Sequence, residues 1–118
     1  MPHDPYERLA FSAGDTIMSQ GEIGTFALLI DQGEVEILVR DRQGERQVAV
    51  LSAGDIVGEM ALVDGEPRSA SVRALTDGNG TIIPWYVFMT EIDSAPPIVR
   101  KVIQSLTRKL RLADLGRA

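Results

Sequence analysis

The chain has 118 residues, of which 44% are hydrophobic and 25% charged, as expected for one globular domain spanning residues 1–118. It contains no cysteine, which excludes disulfides and thiolate metal sites and fits a cytoplasmic protein. No apolar run approaches the roughly 20 residues of a membrane span. Residues 1–11 also lack the basic and apolar regions of a secretory signal.

The charge is divided unevenly along the chain. Residues 1–94 carry six Lys or Arg against sixteen Asp or Glu, a balance of −10, whereas residues 95–118 carry six against one, a balance of +5. A strongly acidic body does not attract nucleic acid through its long-range field. We therefore expect no nucleic-acid binding by this chain alone, and any anionic ligand must be held by a local arrangement of groups.

The first half of the chain is predicted to form short strands. Residues 26–30 (FALLI) are a continuous apolar run, as in a buried strand. Residues 34–40 alternate, which places Val35, Ile37 and Val39 on one face and Glu36, Leu38 and Arg40 on the other. The polar segment 41–46 predicts a hairpin turn, with 47–51 as the returning strand.

Two later segments, 69–75 and 81–88, also resemble strands. Pro84 limits how the second can pair, and Trp85 and Tyr86 are expected to be core or half-buried strand residues. Short strands at a spacing of roughly 8–12 residues indicate an all-β barrel or jelly roll.

A short motif occurs twice, as AGDTI at 13–17 and AGDIV at 53–57. In both copies Gly-Asp precedes a β-branched residue that can begin a strand, and glycine can adopt the left-handed conformation of a tight corner. Two interpretations stay open: a shared corner between strands, or chance similarity.

From Ser94 the sequence predicts one amphipathic helix over about 94–115. Ser94 is the expected N-cap, the two prolines that follow fit a first turn, and Gly116 is a natural stop. Apolar residues recur at helical spacing and form one stripe: Ile98, Val99, Val102, Ile103, Leu106 and Leu110. The packing partner of this stripe, either the same chain or a second one, stays open.

The segment GEMALVDGEPRSASV (58–72) combines unusual chemical groups. A single helical turn here would present amides without internal partners, which favour an anion. Arg68 offers a planar fork of donors suited to phosphate, and an ionised Glu59 accepts hydrogen bonds as a sugar hydroxyl requires. The pattern indicates a ligand with one phosphate and one free hydroxyl, such as a cyclic nucleotide. The alternative is a surface Glu and Arg that pair with each other or stay solvated.

The longer segment IVGEMALVDGEPRSASVRA (56–74) resembles the phosphate-binding cassette of the cyclic nucleotide-binding domain family. That family includes the bacterial catabolite activator, the regulatory subunits of cyclic AMP-dependent kinase, and nucleotide-gated channels. The resemblance covers residues 11–112. It implies a mainly β, jelly-roll-like β-roll of about eight strands over about 8–92, with a short internal helix and a C-terminal helix.

The resemblance also implies a role for each residue at the start of the cassette. Gly58 leaves room at the ribose, and Glu59 accepts a hydrogen bond from the 2′-hydroxyl. The amides around Met60 and Ala61 point at the phosphate.

Further along, the resemblance implies that Arg68 grips the exocyclic phosphate oxygens, Ser69 adds a donor, and Ala70 lines the pocket with its backbone. Serine at 69 leaves the base preference open, and the likeness to cyclic AMP (cAMP) binders favours cAMP over cyclic GMP (cGMP). Replacing Arg68 by alanine is expected to weaken binding roughly 30- to 1,000-fold while leaving the fold nearly unchanged. The residue that caps the base stays open among four candidates: Leu110, Leu112, Ala113 and Asp114.

The sequence therefore predicts a sensor or regulatory module, with no enzymatic activity, that needs no cofactor and relays nucleotide binding through its C-terminal helix. Its expected partners, engaged through residues 94–115, are a second copy or an effector protein. The alternative function is a nucleotide-free β-roll that serves as a protein–protein scaffold. A metal enzyme on a cupin-like barrel is disfavoured because His3 is the only histidine.

Overall fold

A computed structural model describes residues 6–116, with side chains as far as Ala113. Its strands are β1 (Glu7–Phe11), β2 (Thr16–Met18), β3 (Phe26–Gln32), β4 (Val35–Asp41), β5 (Gly44–Leu51), β6 (Ile56–Val57), β7 (Ser71–Ala74) and β8 (Gly78–Pro84). Its helices are α1 (Glu59–Asp64), α2 (Trp85–Ser94) and α3 (Pro97–Gly116). The predicted β-roll with an internal helix is confirmed. His3 lies outside the described residues.

The strands form two antiparallel four-stranded sheets, in the orders β1-β8-β3-β6 and β2-β7-β4-β5. Alternate side chains of each sheet point inwards, and burying each large apolar one contributes about 1.5–3 kcal/mol. The buried core between the sheets consists of Phe11, Met18, Leu28, Ile30, Val35, Val57, Val72 and Ala74. No helix within residues 6–116 has the length and apolar character needed to cross a bilayer.

The two Ala-Gly-Asp motifs adopt the same corner. Gly14 and Gly54 are left-handed, with φ of 91° and 93°. The side chains of Asp15 and Asp55 each accept a hydrogen bond from the amide of the serine three residues earlier, at 2.8 and 2.9 Å. Each corner leads into a short strand, β2 or β6. The repeat is therefore shared turn structure and not chance similarity.

Strand β4 is covered on both of its faces, not only on the one that carries Val35, Ile37 and Val39. Leu38 is buried and Glu36 is only 9% exposed, although both lie on the face opposite Val35. The pairing of β4 with β5 shifts register between Ile37 and Leu38, where the extra residue, Val48, belongs to β5. Glu36 is accommodated because its carboxylate accepts hydrogen bonds from neighbouring strands.

The predicted strand over 81–88 is wrong in its second half. β8 ends at Pro84, and α2 begins at Trp85. Pro84 has φ −63° and ψ 149°, a conformation that suits the residue before a helix, and its missing N–H cannot continue a ladder. Trp85 and Tyr86 are 53% and 56% exposed on the first turn of α2, so their assignment to the core or a half-buried strand is wrong.

The C-terminal helix predicted over about 94–115 is present as α3, but it begins at Pro97 and not after Ser94. Ser94 ends α2, where its hydroxyl donates to the carbonyl of Thr90 at 2.8 Å, and it is not an N-cap. Ala95 is extended because a residue that precedes proline disfavours the helical conformation, and α3 begins at Pro97.

The apolar stripe of α3 largely faces away from the rest of the chain. Ile98, Val102 and Leu106 are exposed, whereas Thr107 on another side of the helix is buried. α3 instead contacts α1. The described part of this chain therefore covers little of the stripe, although the same chain was one of its two candidate packing partners.

Candidate functional site

A cavity of about 310 Å³ lies between the start of α1 and the inner face of the β4–β5 hairpin. Its volume is at the lower end of the range typical of small-molecule sites, roughly 300–1,000 Å³. Strands β4 and β5 supply an apolar wall that includes Ile37, Val39 and Val48. All the site residues predicted from the sequence line this cavity: Gly58, Glu59, Met60, Ala61, Arg68, Ser69 and Ala70.

Gly58 precedes α1 in the left-handed conformation, with φ of 81°. It has no side chain to cap the helix, so the first amides of α1 lack internal partners. A Cβ at this position would lie 2.5 Å from Nη1 of Arg68 and 2.6 Å from Sδ of Met18. The absence of a side chain at Gly58 therefore makes room for the guanidinium of Arg68. This is a second reason for glycine here, besides the space for a ribose that the resemblance implies.

Arg68 lies against the backbone of two other elements. It is 5% exposed, and its Nη1 and Nη2 donate to the carbonyl oxygens of Gly58 at 3.1 Å and Phe26 at 2.7 Å. Its guanidinium carbon also sits 5.2 Å from the centre of the Phe26 ring, within cation–π range. Arg68 therefore joins β3 to the start of α1, and its removal is expected to destabilise the fold, unlike the expectation from the sequence.

The charge of Arg68 is incompletely compensated. Its buried Nε has no hydrogen-bond partner, and its ion pair with Glu22 spans 3.7 Å to a carboxylate that is 48% exposed. Burial lowers the pKa of Arg68, and the charge of Glu22 opposes that shift. Because a buried cation is costly without close partners, an anion in the cavity would complete this arrangement. Arg68 is not solvated, and its ion pair among the described residues is with Glu22 and not with Glu59.

Glu59 is the first residue of α1 and contributes an acceptor to the same cavity. Burial raises the pKa of its carboxyl group, and a hydrogen bond from its own amide acts in the opposite direction. An ionised carboxylate here is held in an unfavourable environment. A hydroxyl donor in the cavity would satisfy it.

Sequence analysis missed the loop before β3, which fixes the position of Arg68. The amide of Arg68 donates to the carbonyl of Glu22 at 2.9 Å, and the amide of Gly21 donates to the carbonyl of Arg68 at 2.8 Å. A Cβ on Gly24 would come within 2.8 Å of Cβ of Ala61, so this glycine allows the loop to approach α1. The available signal was the pair of glycines just before the apolar run of β3.

Helix α3 also reaches the cavity. Leu110 and Arg111 line it, whereas the side chains of Leu112 and Ala113 are exposed and do not. The side chain of Asp114 lies outside the described residues. Of the residues considered as a cap for a base, Leu110 is thus placed at the cavity.

Comparison with known proteins agrees with this geometry. The family model for the cyclic nucleotide-binding domain matches residues 8–94. The chain belongs to this family. The matched range holds nearly all of both sheets and the whole cassette, whereas Leu110 and Arg111 of α3 lie beyond it.

Similar proteins include transcription regulators and kinase subunits. The cyclic AMP receptor protein of Thermus thermophilus is 32% identical over 111 residues, which cover 93% of this chain and 51% of that protein. A cAMP-dependent protein kinase regulatory subunit of Mycosarcoma maydis is 39% identical over 71 residues, 60% of this chain and 14% of that protein. The chain therefore spans about half or less of the length of these relatives.

Among solved structures, the EAL enzyme Bd1971 is similar in two nucleotide-bound forms. The cAMP-bound form has a TM-score of 0.87 at 32% identity, covering 94% of this chain and 30% of that one. The cGMP-bound form has a TM-score of 0.86 at 31% identity, covering 93% and 30%.

Proposed function

We propose that this domain binds cAMP, and cGMP less tightly, in the cavity beside α1. The observation that carries the proposal is the buried guanidinium of Arg68, which lines the same cavity as the start of α1 and whose Nε has no hydrogen-bond partner, only an ion pair with Glu22 at 3.7 Å. A phosphate diester is a monoanion with two exocyclic oxygens, and it can accept hydrogen bonds from both groups at once.

Each cavity residue has a role in this proposal. Arg68 and the amides of Met60 and Ala61 hold the phosphate, Ser69 adds a hydroxyl donor, and Glu59 accepts from the ribose 2′-hydroxyl. Gly58 and Ala70 contribute close backbone approach. The base lies against the apolar wall of β4 and β5, with Leu110 of α3 at its edge.

The preference for cAMP is supported by the names of the relatives. The two curated relatives are described as cAMP proteins, and the EAL enzyme has been solved with either nucleotide. The β4–β5 wall is apolar, so it offers no hydrogen bonds that would separate adenine from guanine. Selectivity would therefore come from Ser69 or from α3.

The domain is proposed to act as a cytoplasmic regulatory module without enzymatic activity and without a cofactor. Ligand contacts at 58–70 would favour one docking of α3 over another, a population shift limited by the difference in affinity between the two arrangements. The exposed stripe of α3 is then the surface through which a second copy or an effector protein would sense the change.

Calorimetric titration of cAMP and cGMP into the parent protein and into Arg68→Ala tests this function. The expected result is saturable binding to the parent that the substitution weakens roughly 30- to 1,000-fold, and the ratio of the parent's two affinities gives the preferred messenger. Silent titrations, together with no thermal shift from either nucleotide, would contradict the proposal. The domain would then be a nucleotide-free interaction module.

A further inference from the structure

The guanidinium of Arg111 on α3 bonds to the cassette segment through three hydrogen bonds. Its Nε and Nη2 donate to the two carboxylate oxygens of Asp64 at 2.8 and 3.0 Å, and its Nη1 donates to the carbonyl of Pro67 at 2.9 Å. The two side chains are only 19% and 24% exposed. Bidentate pairing of this kind fixes geometry as well as charge, which sets Arg111 apart from an ordinary surface cation.

These bonds reach the turn that delivers Arg68. Asp64 ends α1, and its Oδ1 also accepts from the amide of Glu66 at 3.0 Å. Pro67 directly precedes Arg68, whose backbone is held from the other side by the loop at 21–22. Arg111 therefore completes a continuous set of hydrogen bonds from α3 to the residue that meets the phosphate.

Arg111 also determines where its neighbour lies. Leu110 lines the cavity, although much of its side chain is exposed and α3 offers its apolar stripe to solvent. The polar bonds of Arg111, together with the contact between α3 and α1, thus hold Leu110 at the mouth of the cavity. Hydrogen bonding by Thr107, in contrast, stays inside the helix, since its hydroxyl donates to the carbonyl of Ile103.

We propose that Arg111 is the positioning residue that holds α3 on the cassette, and that this clamp couples the position of α3 to nucleotide affinity. The coupling rests on the proposed function, whereas the clamp itself does not. Loss of the clamp lets Leu110 leave the cavity mouth and loosens the turn before Arg68. Both changes speed nucleotide dissociation.

The clamp is tested by a distance measurement that needs no nucleotide. Because the chain contains no cysteine, Gln43→Cys and Lys109→Cys place two spin labels specifically, one on the β4–β5 turn and one on α3. We expect one narrow distance distribution in this parent and a broad one after Arg111→Ala. Arg108→Ala, which removes an exposed cation from the same helix, is the matched control and leaves the distribution narrow. An unchanged distribution in Arg111→Ala overturns the clamp.

Coupling is tested by titrating cAMP into the same variants without labels. Arg111→Ala is expected to bind about tenfold more weakly, through faster dissociation, and Arg108→Ala like the parent. Asp64→Ala should weaken binding less than Arg111→Ala, because the bond from Arg111 to Pro67 remains, and the double variant should lose less than the sum of the two single losses, because both remove the same ion pair. A broadened distance with unchanged affinity, or additive losses, overturns the coupling. A parent that binds no cAMP overturns the proposed function, while the distances still decide the clamp.

Discussion

Two groups of polar and charged residues in this domain, each with at least one buried member, are built in opposite ways. The sheet cluster, Glu36, Gln47 and Arg73, is satisfied internally: Glu36 accepts from Nε2 of Gln47 at 3.1 Å and from Nε of Arg73 at 3.0 Å. These contacts lower the pKa of Glu36, the hydrogen bond from Gln47 contributing most. The cassette pair, Glu59 and Arg68, has the opposite electrostatics, since burial raises the pKa of Glu59 and lowers that of Arg68.

The difference indicates which charges serve the fold and which serve a ligand. A charge that the fold needs is surrounded by partners of the same chain, as Glu36 is. A charge kept for a ligand is buried with partners missing, which costs stability until the ligand supplies them. Substitutions in the cassette pair should therefore affect ligand affinity, whereas matched substitutions in the sheet cluster should affect stability alone.

The largest effect is expected from Arg68→Ala. It removes the partner of the phosphate, at a cost on the order of 2–4 kcal/mol of binding, or roughly 30- to 1,000-fold. It also leaves the carbonyls of Gly58 and Phe26 without a donor, so the free energy of unfolding should fall by about 1–3 kcal/mol. Calorimetry with cAMP and denaturant unfolding measure the two quantities.

Arg73→Ala is the matched control, because it removes an arginine from the sheet cluster. It should lower stability and leave cAMP affinity within a factor of about two. Equal losses of affinity in the two variants would remove the distinction between the groups, and a fully stable Arg68→Ala would show that its backbone contacts contribute little.

The next effect separates two left-handed glycines. Gly54→Ala places a Cβ in open space, so it costs only the backbone strain of about 1–2 kcal/mol in stability. Gly58→Ala carries the same strain and also drives a Cβ against Arg68 and Met18. We expect comparable thermal destabilisation or somewhat more, together with at least a tenfold loss of cAMP affinity that Gly54→Ala lacks. Similar affinity in both variants would mean that Arg68 can move without loss.

Glu59→Gln and Glu36→Gln should change stability in opposite directions. Glu59→Gln removes an unfavourable buried charge, so ligand-free protein becomes more stable, while cAMP affinity falls by about 1 kcal/mol, or roughly fivefold, as a charged acceptor becomes neutral. Glu36→Gln breaks a satisfied cluster and lowers stability with affinity retained. Chemical denaturation and cAMP titration of both variants measure these changes. A Glu59→Gln variant less stable than the parent would contradict the prediction that the Glu59 charge is unfavourable.

Much of this architecture is predictable because local patterns determine it. Apolar runs and polar turns gave β3, β4 and β5, and the cassette motif identified the cavity residues. The errors lie where two patterns conflict. Residues 81–88 form one apolar run, but Pro84 ends the ladder and the run continues as a helix. The predicted C-terminal helix likewise starts too early, because Ala95 precedes a proline and stays extended, so α3 begins only at Pro97.

The partners of Arg68 could not be predicted for a different reason. Glu22 and Phe26 are more than forty residues away in sequence, and their contact depends on how the loop before β3 folds onto α1. The same holds for the pairing of Arg111 with Asp64, which are 47 residues apart. Such contacts follow from the tertiary structure and not from local spacing.

The smallest effect, a pH dependence, tests the two carboxylates against each other. The raised pKa of Glu59 means that the folded, ligand-free domain binds this proton more tightly than the unfolded chain, so its ionisation penalty is present above the raised pKa. That penalty disappears as the pH falls through the raised pKa toward the ordinary value of 4.5. The lowered pKa of Glu36 acts in the opposite sense: its stabilisation is present above 4.5 and is lost as the pH falls through the lowered pKa.

Stability measured against pH for the parent and each glutamine variant should therefore show two differences of opposite sign. As the pH falls, the difference in free energy of unfolding between the parent and Glu59→Gln disappears first, above pH 4.5. The difference between the parent and Glu36→Gln disappears only below pH 4.5. cAMP affinity of the parent should weaken over the same upper window, because a protonated Glu59 is a poorer acceptor for the ribose hydroxyl. If both differences closed over one pH range, the carboxylate of Glu59 would be as well satisfied as that of Glu36, and the electrostatic case for a ligand at this cavity would rest on Arg68 alone.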